Sequence, residues 1–282
     1  MAAAQRPLSA GFALLIVLAA TLSEVCCREC TLADGIFEDN DTANGATIPD
    51  DCTVLRLNDV KLGVEGGIAI AQELKTNTNL RQLEIHGNKI TDAAAFVLAD
   101  ALKVNKVLQV LIVGDNWIGD AGASAFADAL RVNTALSTLS LGESSVGVIG
   151  ATALAAALKV NTGLKKLLLW QNRLGDNGVI ALSEGLKANT VLQTLSLRIN
   201  GVGDEGAIAL AEALKVNHVI EEIHLGLNNI GDKGIAALSK CLKEHNTGLK
   251  DMDLGINNIQ EWGVHDEIHA TLAGRSRDVK EL

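Results

Sequence analysis

Three patterns in the chain carry residue types that can do chemistry. Gly201-Val202-Gly203-Asp204-Glu205-Gly206 spells G-x-G-x-x-G, the spacing with which glycine backbone approaches a dinucleotide pyrophosphate at a helix N-terminus. His265 and His269 stand four residues apart, which on a helix puts two imidazoles on one face, as in zinc peptidases. Cys26, Cys27, Cys30, Cys52 and Cys241 supply thiols for disulfides or for a metal. The peptidase motif requires glutamate directly after its first histidine, and Asp266 stands there. A cysteine pair, a third three residues on and a fourth 22 residues later lacks the usual zinc-site spacing. The other histidines pair with no serine or cysteine in a nucleophile–base pattern. These residues therefore predict a non-enzyme, with no catalytic residue, no metal site and no cofactor.

The elements around the glycine motif explain it differently. The 28-residue unit Leu80–Val107, LRQLEIHGNKITDAAAFVLADALKVNKV, recurs from Leu108, Leu136, Leu164 and Leu192. A 29-residue copy starts at Ile220, a worn copy precedes the series at Cys52, and a truncated one follows from Leu249. Such self-similarity is the signature of a solenoid. The G-x-G-x-x-G stretch is the strand-to-helix turn of one unit, so it is read as structural.

Within a unit, Leu83 and Ile85 alternate with Gln82, Glu84 and His86, which predicts a short strand with one face inward. An asparagine follows, at Asn88, Asn116, Asn172, Asn200, Asn228 and Asn257. Pointed inward, its amide can satisfy backbone groups of neighbouring turns. Val60 and Ser144 replace it in two units, and Ser144 predicts a local break near mid-array. A Gly-Asp pair comes next, as in Gly119-Asp120 and Gly203-Asp204, with the aspartate expected to cap its own helix. The helix buries a stripe at i, i+3, i+7, such as Ala207, Leu210 and Leu214. Asn105, Asn133, Asn161 and Asn189 are expected to stop the helices.

The pattern LxxLxLxxNxIGDxGaxaLaxaLkxN, from about Cys52 to Gly263, resembles the ribonuclease-inhibitor-like class of leucine-rich repeats. That resemblance implies an α/β fold: a right-handed β/α horseshoe with parallel strands on the concave face and helices on the convex one. It implies protein–protein recognition as the role. Sensor regions of NOD-like receptors also look like this, although no nucleotide-binding domain is present here.

On such a scaffold the outward strand positions form the binding face, and they vary while the core columns repeat. Between the inward positions stand Arg56, Glu84, Ile112, Ser140, Leu168, Ser196, His224 and Asp253. Two places on stand Asn58, His86, Gly114, Gly142, Trp170, Arg198, Gly226 and Gly255. Tryptophan and arginine are enriched among interface hot spots. The expected anchors for a protein ligand are Trp170, Leu168, Ile112 and Arg198, with Glu143, Lys166 and His86 at the rim. Competing readings are a repeat scaffold without a concave ligand and a cytosolic NOD-like-receptor-type module.

The chain outside the array sets the compartment. Phe12–Leu22 is an eleven-residue apolar run behind a single charge, Arg6, with small residues after it. This is the layout of a cleaved secretory signal peptide, and it is short of the ~20 apolar residues of a spanning helix. The expected divisions are a signal peptide over 1–23, a cysteine-containing cap or linker over 24–51, the array over 52–263, and a C-terminal cap and tail over 264–282. Disulfides among Cys26, Cys27, Cys30 and Cys52 are expected in the N-terminal cap, with Cys30–Cys52 the most natural single pair. Cys241 is read as a free buried thiol. Asn40 opens the one N-x-S/T sequon, a glycosylation candidate. A net charge of −10 argues against nucleic acid. The expectation is a monomer, secreted or lumenal, free of the membrane once cleaved, with a cytoplasmic location as the alternative.

Overall fold

The computed structural model describes residues 28–31, 33, 36 and 46–278 of the 282-residue chain. The predicted signal segment, Cys26, Cys27 and Asn40 lie outside the described residues.

Alternating apolar residues give one short strand per unit. The strands are β1 (Arg28–Cys30), β2 (Cys52–Arg56), β3 (Gln82–Glu84), β4 (Val110–Ile112), β5 (Thr138–Ser140), β6 (Lys166–Leu168), β7 (Thr194–Ser196), β8 (Glu222–His224) and β9 (Asp251–Asp253). They form one parallel sheet in sequence order. From β2 to β8 the register holds at 28 residues, so that Leu55, Leu83, Leu111, Leu139, Leu167, Leu195 and Ile223 stand side by side. Between strands run α1 (Gly63–Leu74), α2 (Asp92–Val104), α3 (Asp120–Leu130), α4 (Val148–Leu158), α5 (Gly175–Leu186), α6 (Asp204–Leu214), α7 (Asp232–Glu244) and α8 (Trp262–Asp278). Each helix packs on the next, and the inward strand residues meet the predicted helix stripe in one continuous core. This is a β/α solenoid of the horseshoe type. Burying each leucine of those columns contributes on the order of 2 kcal/mol.

Three polar ladders tie unit to unit. The post-strand asparagine reaches backward: Asn116 Oδ1 accepts from Asn88 N–H (3.0 Å) and Ile90 N–H (2.8 Å), while its Nδ2 donates to Ile85 O (2.9 Å). Asn88 and Asn228 repeat this arrangement, while Asn200 keeps the donation to Leu169 O and accepts only from Leu174 N–H (3.4 Å). A second ladder corrects the reading of the later asparagines as simple helix stops. Asn133 Nδ2 donates to Leu102 O and Asn105 O of the preceding unit, and its Oδ1 accepts from Ala135 and Leu136 N–H. Asn77, Asn105, Asn161, Asn189, Asn217 and Asn246 belong to the same column of buried amides.

The aspartates also differ from expectation. None of Asp92, Asp120, Asp176 and Asp204 caps its own helix. Asp120 Oδ1 accepts instead from Gly147 N–H (2.7 Å) and Gly150 N–H (2.8 Å), at the start of the next helix. Asp92, Asp176 and Asp204 act likewise on α3, α6 and α7. The aspartate begins its own helix with helical backbone, so its carboxylate projects sideways to the neighbour's free N–H groups. Where Val148 replaces it, the next helix starts differently: Gly175 has φ +56°, whereas Gly147 and Gly203 are extended.

Each end carries an element that the sequence reading did not give. The N-terminal cap adds β1 to the sheet, tied to β2 by the Cys30–Cys52 disulfide that the sequence favoured. At the other end the expected tail is helical through Asp278. Arg275 donates to Leu242 O (2.5 Å), Asn246 O and Leu249 O (2.8 Å), the first two being the carbonyls that a further unit's asparagine would hold. Cys241 is a free, buried thiol, and burial pushes its pKa up.

Candidate functional site: the outward strand face

The outward positions of nine adjacent strands make a continuous surface whose character changes along its length. At the N-terminal end Arg56 bridges Glu29 and Glu84, with Arg56 Nε 3.0 Å from Glu84 Oε1. Hydrogen bonds to Glu29 and Glu84 hold the Arg56 guanidinium firmly charged. Burial alone would raise the Glu84 pKa, but hydrogen bonds from Arg56, Gln82 and Asn58 outweigh it and hold the carboxyl below its usual range.

Toward the middle the charge gives way to apolar and small groups. Ile112, Ser140, Leu168 and Ser196 lie in register across β4 to β7. Ile112 and Leu168 are half-buried, while Ser140 and Ser196 are buried between them. Trp170 lies over Gly142 so closely that a Cβ on that glycine would overlap the indole. Gly114, in turn, sits against the backbone of Gly142. Glycine here makes a low shelf on which one large ring can rest.

The predicted anchors are therefore partly gathered. Ile112, Leu168 and Trp170 share this shelf, and Lys166 stands exposed at the start of the same strand as Leu168. Arg198, one rung on, is exposed and pairs with Asp253 at 3.3 Å across the side-chain-free Gly226. Glu143 falls in the turn beyond the strand, at φ +50°. His86 is not at the rim of the tryptophan. It stands three rungs away, roughly 14 Å at the strand spacing, with Nε2 3.8 Å from Asp115 Oδ2.

Two features escaped the sequence reading. The first is a shallow cleft of about 310 Å³ lined by Asp115, Glu143, Ser144, Gln171, Asn172, Arg173 and Ile199. It opens where Ser144 takes the place of a ladder asparagine. Ser144 Oγ turns to Gly142 O (3.4 Å), and Asn172 beside it is half-buried although its counterparts are buried. The second is a column of left-handed turn residues: Asp59, Gly87, Asp115, Glu143, Gln171, Ile199, Leu227 and Ile256. Aligning the units on Asn88 would have shown it as acidic at one end and apolar at the other. Its members are 28 or 29 residues apart, so no local motif displays it.

The motifs that carried chemistry in the sequence resolve plainly. Gly203 and Gly206 N–H both point at Asp176 Oδ1, at 2.7 and 2.9 Å. The helix N-terminus does hold an anion, but that anion is a carboxylate of the preceding unit. His265 and His269 lie on α8 with their Nε2 atoms 3.2 Å apart.

A family model described as Leucine Rich repeat matches residues 76–99, 104–127, 188–211 and 216–239. No curated protein matches the chain. Among solved structures, one titled "Leiomodin-1 Actin-Binding Site 2 (ABS2)" is 22% identical, covering 55% of this chain and 90% of that one, with a TM-score of 0.49. The repeated unit, the parallel sheet and the family model together show leucine-rich repeats stacked into a β/α solenoid.

Proposed function

We propose that this chain is a non-enzymatic scaffold of the ribonuclease-inhibitor-like type that holds a protein ligand on its outward strand face. The observation that carries the reading is the shelf of Ile112, Leu168 and Trp170 over buried Ser140, Ser196 and Gly142, flanked by Glu84–Arg56 at one end and Arg198–Asp253 at the other. An apolar centre with a large aromatic ring and a charged margin is the anatomy of a recognition surface. Glu143, Lys166 and Arg198 form its polar edge. The unit of 28 or 29 residues, each with one strand and one helix of 11–13 residues, supports the subtype. The scaffold acts as a monomer, without nucleic acid, in the secretory pathway or outside the cell, as the Phe12–Leu22 run and the cysteine cap suggest.

The test is affinity capture from medium and cell lysate with the wild type, Trp170→Ala, and Ile149→Ser on exposed α4 as control. A ligand retained by the wild type and the control, and weakened about tenfold or more by Trp170→Ala, supports the reading. A ligand indifferent to Trp170 overturns it. Intact mass of secreted protein, starting near residues 20–24 and rising on reduction, tests the compartment, and an uncleaved intracellular product refutes it.

A further inference from the structure

We propose that Asp59, His86 and Asp115 form a binding site for one divalent transition-metal ion of the zinc class, at the N-terminal end of the strand face. One imidazole nitrogen and two carboxylate oxygens come from three consecutive units, and all lie within 4.8 Å of one another. The set is suited to a borderline cation, because imidazole favours zinc, iron, nickel and copper over calcium and magnesium.

The juxtaposition depends on a missing side chain. Asp59 and Asp115 occupy the same turn position two rungs apart, roughly 10 Å at the strand spacing. Between them stands Gly87. A Cβ there would overlap the Asp59 carboxylate and come 3.5 Å from Asp115 Oδ2. Both carboxylates thus lean over the one rung that leaves room, and His86 joins them from the adjacent strand position. Among the described residues, the one basic side chain within 4.0 Å of either aspartate is the His86 imidazole. Neither Lys61 nor Lys89, the lysines nearest in sequence, is paired with Asp59 or Asp115, and Lys89 Nζ lies 5.9 Å from the Trp117 ring centroid. Two anions held together without a lysine or arginine favour a bound cation on electrostatic grounds.

The backbone under the site is fixed. Asp59 N–H donates to His86 O (2.9 Å), Gly87 N–H to Gly114 O (3.2 Å) and Asp115 N–H to Gly142 O (2.8 Å). Tetrahedral zinc with bonds of ~2.0–2.1 Å separates its ligand atoms by roughly 3.4 Å. The three ligand atoms stand within 4.8 Å of one another, so binding requires their side chains to draw together over the hydrogen-bonded turns. Three protein ligands leave a fourth position for water or for a donor from outside. The site stands whether or not the Trp170 shelf binds a protein.

Calorimetric titration of the full, disulfide-intact chain with Zn²⁺, and separately with Ca²⁺, tests this. The expected result is one Zn²⁺ ion, bound at least tenfold more weakly by His86→Ala and by Asp115→Asn, and equally well by His269→Ala. The His86 ring resonances should shift on addition of zinc. Both weakened variants should keep the wild-type melting temperature within a few degrees, because the ladder bonds at these positions are made by backbone. No zinc binding would overturn the proposal. So would zinc lost with His269→Ala, zinc bound unchanged by His86→Ala, or calcium bound as well as zinc.

Discussion

A buried asparagine amide has two donors and an oxygen with two acceptor sites, and in this chain one such side chain closes the backbone accounts of two units at once. Asn116 and Asn228 do so fully, and Ser144 cannot. We therefore expect Ser144→Asn to restore acceptors for Asn116 and Ile118 N–H, to fill the cleft beside Glu143, and to stabilise the protein by about 1 kcal/mol. Urea denaturation measures the gain, and no change or a loss would refute it. Asn200→Ala should do the opposite, by about 3 kcal/mol, since several buried backbone groups lose partners together. The asparagine columns and the break at Ser144 were legible in the sequence because they recur in phase. The seat of Trp170 on Gly142 was not, since it depends on a contact across units between two residues that vary.

At the scale of elements, α3, α4, α6 and α7 each borrow an N-terminal acceptor from the unit before. Asp120→Ala should cost about 1 kcal/mol, and the site of the damage discriminates between local and cross-unit capping. Amide exchange should accelerate at Gly147 and Gly150 of α4 while the first turn of α3 is unchanged. Acceleration confined to α3 would restore the local reading. Strands, helices and their apolar stripes were predicted correctly, since periods of 2 and 3.6 are written along the chain. The direction of the aspartate was not, because residues 27 and 30 apart are linked only once the coil has closed. The cap strand β1 was missed for a related reason: three residues lacking an alternating pattern become a strand by pairing with β2.

The whole molecule is held at its ends by different chemistry, a disulfide at one and Arg275 at the other. Burial lowers the pKa of Arg275, and the guanidinium finds its compensation in carbonyls that a further unit would otherwise take. The charged network at the N-terminal end makes stability depend on pH. Glu84 has a folded pKa below its unfolded value of about 4.3, so its contribution is present in full above that value. It is lost as pH falls through the folded pKa. The melting-temperature difference between the wild type and Glu84→Gln should accordingly be constant near neutrality and shrink below about pH 4. A difference that grows on acidification would contradict the assignment.

The unit from Leu136 to Gly163 sends out neither of the two lateral ties that its own asparagine and aspartate positions would supply. Ser144 cannot reach back to the unit before it, and Val148 offers no carboxylate to the helix after it. Its neighbours still reach it through Asp120, which accepts from Gly147 and Gly150 N–H, and through Asn172, which bonds Val146 N–H and Leu141 O. The sheet, the apolar packing and the helix-end asparagines hold it as well, so each of its two interfaces lacks one tie of the usual set. In a nearest-neighbour array, a weak pair of interfaces divides one cooperative transition into two. Residues 52–135 and 164–278 should therefore open as separate blocks in native-state hydrogen exchange, each with its own free energy. A chain stretched from its two ends would part first at this joint, a fault line set by two side chains in the middle of an otherwise unbroken coil.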